Sequence, residues 1–214
     1  MIVAAAWLYR ADSRTFYLVT NEDGWVENAQ VALFFAGSAL AAGIAWRLRR
    51  TGARFWFAVY ALAALTLFVV AGEELSWGER LLGFEGPAWV RRRNLQRELN
   101  LHNLSAVAGP VSSASAAALA AGCGLALLRA LVPDRVARWR PELWMPDPAL
   151  LPGLLFCLAY AESRHLVWTV LPRSRWTRIL VSRSQEVVEL VLALTVVLFL
   201  VTVALELRRR SPPS

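Results

Sequence analysis

No lysine occurs in the 214-residue chain; all 23 basic residues are arginine. In a composition this rich in alanine and arginine, that is a compositional bias rather than a selective use of the guanidinium group. Cysteine is nearly absent as well. Cys123 and Cys157 both lie inside apolar runs, which argues against a disulfide framework or a thiolate metal site. A glycine-rich phosphate loop, a dinucleotide fingerprint, a His-Glu-x-x-His metalloprotease motif and a Cys-x-x-Cys-His haem motif are all missing. The net charge is +7, but the arginines cluster at the ends of apolar runs and form neither a basic surface nor a known module. Nucleic acid is therefore excluded as a partner, and anchoring in anionic lipid headgroups is the simpler use of the charge.

What is present is apolar. The chain is 57% hydrophobic and 18% charged, with a mean hydropathy of +0.43, which places it in the membrane class. Five runs come near the ~20 residues that a spanning helix needs. They predict an all-α integral membrane protein, a single transmembrane domain over 1–214, with helices at about 30–46, 55–72, 106–128, 149–170 and 185–207. The first two form a hairpin around the basic turn RLRRTGAR. Between the second and third, Pro87 breaks any single helix, and VRRRNLQRELNLHN after it predicts a short interfacial helix. The third run, GPVSSASAAALAAGCG, is rich in small residues that let helices approach closely in lipid, and it is expected to be the most buried. The opening MIVAAAWLYR has no basic region before its apolar stretch, so it predicts a surface-lying segment rather than a cleaved signal peptide.

Alternating helices carry most carboxylates to one membrane face. Glu73, Glu74 and Glu79 end the second run, Glu98 and His102 precede the third, Glu162, Arg164 and His165 sit in the fourth, and Glu186 and Glu189 open the fifth. Glu22, Asp23 and Glu27 precede the first run on that same side. Charge is expensive in hydrocarbon unless it is paired or faces a polar cavity, so convergence is the cheaper arrangement. Glu98 and His102 are four apart and Glu162 and His165 three apart, spacings that share a helical face. Carboxylates with neutral imidazoles suit zinc, manganese or iron. Glu74, His102, Glu162 and His165 are the candidate metal ligands, Glu98 and Glu189 the candidate general bases, and Arg164 and Asn100 the candidate substrate contacts. Trp77, Trp89, Trp168 and Trp176 suit an interfacial aromatic belt.

Taken together, NEDGWVEN, GEELSWGERLLGFEGP and NLQRELNLHN resemble a group of uncharacterised bacterial integral membrane proteins that carry EDG, EE-x-SWG-x-R and N-x-Q-x-E-x-NLHN in this order. The resemblance covers most of the first half and implies a bacterial inner-membrane protein, but it brings no activity. Membrane hydrolases of the alkaline ceramidase type are similar in setting acids and histidines on one face, yet they have seven helices and more histidine ligands than the two here.

Three functions follow as expectations. The first is a metal-dependent hydrolase acting on a lipid or lipid-linked substrate at the bilayer surface, with bound water as nucleophile and Glu98 or Glu189 as base. The second is a non-catalytic accessory subunit of a membrane complex or a polar-ligand-binding membrane protein. The third is a transporter or proton relay, against which the uniformly apolar lower halves of the second, third and fifth runs count. The positive-inside rule, applied to the arginines at 47–54, 129–140 and 208–210, puts that side in the cytoplasm and the N-terminus outside, although the opposite loops also carry arginines, at 80, 91–93, 97 and 173–183.

Overall fold

A computed structural model describes residues 11, 12, 14, 15, 24–94, 98–104, 106–170 and 175–210, with the side chains of 80, 81 and 164–184 outside that description. Regular structure in the described residues is helical, apart from one isolated antiparallel bridge between Asn94 and Leu104. The helices are α1 (Trp25–Arg50), α2 (Arg54–Glu74), α3 (Glu79–Leu82), α4 (Ala88–Arg93), α5 (Ala108–Leu131), α6 (Pro133–Ala137), α7 (Leu151–Val170) and α8 (Arg175–Arg209). Five of the apolar segments, on α1, α2, α5, α7 and α8, are long and apolar enough to cross a bilayer. The protein is thus a multi-pass α-helical membrane protein with an interfacial region between its second and third spans.

The helices pack as a row. α2 lies on α1, α1 on α8, α8 on α7 and α7 on α5. Small residues set the close approaches: Gly37 of α1 faces Leu67, Val197 and Leu200, and Gly153 of α7 faces the Thr195 hydroxyl of α8. Ser38 Oγ donates to the Ala64 carbonyl across the α1–α2 seam at 2.8 Å. Hydroxyls inside lipid find backbone carbonyls because no water is there to satisfy them; Thr195 and Thr202 do so within α8, at 2.7 and 2.6 Å.

Three expectations change. α5 is the least buried span, with 17% of its most apolar stretch covered against 39% for α1. Its small residues make close packing possible but do not require it, and α5 is at one end of the row, on α7. Second, α1 begins at Trp25 and α8 at Arg175, so the segment expected as a loop before 185 is helical. No proline or glycine interrupts 175–209, and the 35-residue helix, about 52 Å long at the usual helical rise, outlasts the bilayer core. Third, the interfacial helix is only Ala88–Arg93, and Asn94 leaves it in extended conformation (ψ 135°).

At the face opposite the acids, the α1–α2 hairpin turns through Gly52 at φ 76°, with Thr51 Oγ1 donating to the Leu48 carbonyl. Arg50 lies over the Trp46 ring at 5.0 Å. The connection from α6 to α7 plugs this end. Leu143 enters the core beside Tyr60, Leu48 and Leu207, and Tyr60 Oη donates to its carbonyl at 2.7 Å. Buried Glu142 is met by Arg140 (3.4 Å) and Arg210 (3.1 Å), while Arg129 reaches the Met145 carbonyl at 2.9 Å and Asp147 at 3.5 Å. Replacing Tyr60 by Phe leaves the Leu143 carbonyl without that donor inside the core. We expect a loss of about 1–3 kcal/mol, read as a lower unfolding temperature in detergent and faster hydrogen exchange across 141–145.

Candidate functional site

The segment AGEELSWGER closes α2 with a sharp reversal. Ser76 (φ 48°), Trp77 (φ 53°) and Gly78 (φ 82°) are all left-handed, a conformation that costs roughly 1–2 kcal/mol for a residue with a Cβ. The reversal is held from both sides. Trp77 folds back over Gly72, where an added Cβ would come within 2.9 Å of the indole ring, and its Nε1 donates to Glu73 Oε1 at 2.6 Å. Ser76, fully buried, donates its hydroxyl to Glu98 Oε2 at 2.6 Å.

Glu73 and Glu79 then collect the backbone of the next connection. Glu73 Oε2 accepts the amides of Leu101 (2.5 Å) and His102 (3.0 Å). Glu79 accepts those of Gly86 (2.8 Å) and Leu99 (2.6 Å). A buried carboxylate is tolerated where charge-assisted bonds of this kind replace its hydration. Asn94 completes the fold-back through the carbonyl and side-chain oxygen of Asn100, at 2.6 and 2.7 Å. Residues 98–102 are therefore not helical, and Glu98 and His102 do not share a helical face as their spacing suggested. Their segment's amides go to carboxylates on another element instead of to carbonyls four residues back.

Above this scaffold lies a cavity of ≈ 60 Å³ lined by Glu27, Glu73, Glu74, Glu98, Asn100, His102, Asn103, Gln185, Glu186 and Glu189. Its walls come from the start of α1, the end of α2, the 98–103 loop and the membrane-entry turns of α8. Every described lining residue is polar, and six of them are glutamates. Of the residues singled out in the sequence, Glu74, Glu98, Asn100, His102 and Glu189 meet here. Glu162 is exposed on α7 and is not among the lining residues, while the side chains of Arg164 and His165, like residues Glu22 and Asp23, lie outside the described residues. Glu186 and Glu189 share a face of α8, as their three-residue interval predicts.

Several of these groups are already engaged. One Glu98 oxygen takes the Ser76 hydroxyl, Glu189 Oε1 takes Gln185 Nε2 at 2.7 Å, and Asn100 spans Asn94 and Ser76. His102 has Asn103 Nδ2 at 3.0 Å from Nε2 and Glu73 Oε2 at 3.5 Å from Nδ1. Donation from Asn103 to Nε2 assigns the ring proton to Nδ1, facing Glu73. Among the described residues no group of three or more His, Cys, Asp or Glu side chains is arranged to hold a metal ion. Spacing alone did not mark Ser76 as a donor to Glu98 or Trp77 as a donor to Glu73. The signal for both is the Ser-Trp-Gly run after a helix end, where glycine marks a left-handed turn.

The chain matches no protein-family model, no curated protein and no solved structure.

Two substitutions test the scaffold. In Glu73→Gln the new amide group has to face either the Trp77 N–H or the two backbone N–H groups, donor against donor. The expected cost is about 2 kcal/mol or more, with loss of hydrogen-exchange protection at Leu101 and His102. Gly72→Ala should displace Trp77 and reproduce part of that loss without touching a charged group.

Proposed function

We propose that this is a non-catalytic, polar-ligand-binding membrane protein whose acidic basin takes the cationic group of its ligand at the bilayer surface. The observation that carries the reading is the lining: among the described residues, six carboxylates surround ≈ 60 Å³ with no basic side chain other than the imidazole of His102. Like charges this close repel unless a cation offsets them, and helix-bundle walls of low polarizability strengthen the field a cation would meet. The volume suits a small ammonium or guanidinium group. It does not suit an acyl chain, so a lipid would present only its headgroup.

The metal-dependent hydrolase has less support. Both ring nitrogens of His102 have neighbours within the scaffold, and Glu98, the candidate base, shares a proton donor with the reversal after α2. A transporter or proton relay would need polar groups continuing through the bundle, whereas Phe34, Ala71 and Ala193 close an apolar layer below the basin. We assign the arginine-bearing opposite face to the cytoplasmic side of a bacterial inner membrane by the positive-inside rule, which sets the basin outside and leaves the arginines to anionic headgroups.

Calorimetric titration of detergent-purified protein with ethylammonium chloride should give saturable binding. Glu74→Gln and Glu189→Gln should each weaken it about tenfold, roughly 1.4 kcal/mol. Elemental analysis after dialysis separates the readings: about one zinc, manganese or iron per chain, lost in His102→Ala, would restore the hydrolase.

A further inference from the structure

Gln30 is fully buried, and both its side-chain nitrogen and oxygen lack a hydrogen-bond partner among the described residues. An amide in that state costs a few kcal/mol unless something fills the gap. Its place in the bundle says where that something sits. On α1, Gln30 is one turn below Glu27, a wall of the basin, and one turn above Phe34. Phe34 packs with Ala71 of α2 and Ala193 of α8. α2 runs antiparallel to α1 and α8 parallel to it, so one turn from that layer toward the basin brings Gln30 level with Glu74 on α2 and Glu189 on α8. The contact of Gly37 with Leu67 gives the same α1–α2 register. Gln30 is not itself a lining residue of the basin; its buried amide lies one turn below Glu27, at the level of Glu74 and Glu189.

We propose that Gln30 forms a deep subsite that selects a primary ammonium group over a quaternary one. The inference rests on the cation-binding reading of the basin and adds its specificity. An –NH₃⁺ group has three N–H donors and meets three oxygen acceptors here, Gln30 Oε1 below and the carboxylates of Glu74 and Glu189 at the sides. Drawing those carboxylates inward also brings an acceptor toward Gln30 Nε2. A trimethylammonium group presents methyls to Gln30, offers Oε1 no N–H, and leaves the amide as unsatisfied as before. Discrimination comes from that buried polar group, because a site built to hydrogen-bond rejects an analogue that cannot. The same primary ammonium can come from the headgroup of a phosphatidylethanolamine lipid or from a free small amine.

The test compares methylammonium and tetramethylammonium chloride at equal ionic strength, titrated into full-length protein in maltoside detergent. Wild type should bind methylammonium at least tenfold more tightly, and Gln30→Leu should bind the two within about twofold while its ligand-free melting temperature rises. Gln30→Met, of matching length, serves if the leucine variant folds poorly. Wild type binding both cations equally, or Gln30→Leu keeping the preference, would overturn the subsite and leave the basin reading standing; an internal water on Gln30 would then account for it. Binding of neither cation overturns both. Nanodiscs of phosphatidylethanolamine and of phosphatidylcholine identify the source: weaker methylammonium binding only in the former supports the lipid headgroup as occupant, and equal binding in both supports a free amine.

Discussion

A single carboxylate organises the acidic face. Glu73 ends a transmembrane helix and, in place of capping that helix or pairing with arginine, takes the indole N–H of Trp77 and two backbone amides from a loop more than 25 residues further on. The energetic logic is mutual. The loop backbone at a membrane surface needs acceptors, and the buried carboxylate needs donors. Glu79 repeats the arrangement a few residues on. The outcome is a rigid shelf over the end of α2, and the basin is the space between that shelf and the entry turns of α1 and α8.

This division of labour explains why two adjacent glutamates differ. Glu73 borders the basin too, but both its oxygens are engaged by Trp77 and the loop. Glu74, one residue and about 100° further around the helix, faces α1 and α8 and joins the glutamates of the basin. The strained reversal at Ser76 and Trp77 lets the chain turn within three residues, so the shelf folds back over the helix that carries it. The opposite end of the bundle solves its own charge problem differently, by pairing: Glu142 and Asp147 meet Arg140, Arg210 and Arg129. The acids of that end are paired with arginine, whereas the basin gathers six glutamates.

Much of the fold was legible in the chain. The five spans follow from runs of about 20 apolar residues, and a helix edge moves by only a few residues when the structure is compared, except where α8 continues upstream through 175–184. The convergence of acids on one face was legible too, since it follows from counting crossings. The contents of the site were less so. Spacing paired Glu98 with His102 as helical neighbours, but spacing assumes a helix, and the segment gave up its helical hydrogen bonds to Glu73 and Glu79. Glu162 has an equally suggestive spacing and still lies on the exposed side of α7.

Sequence by itself determined class, crossings and the gathering of most acids on one face, because hydrophobic length and charge are local, additive properties of a chain in a bilayer. Which carboxylates support the backbone, which line a cavity, and that Gln30 is buried without a partner among the described residues were decided only by the tertiary structure. Those facts depend on the register between α1, α2 and α8 and on donors supplied from distant residues, and no periodicity within one segment records either.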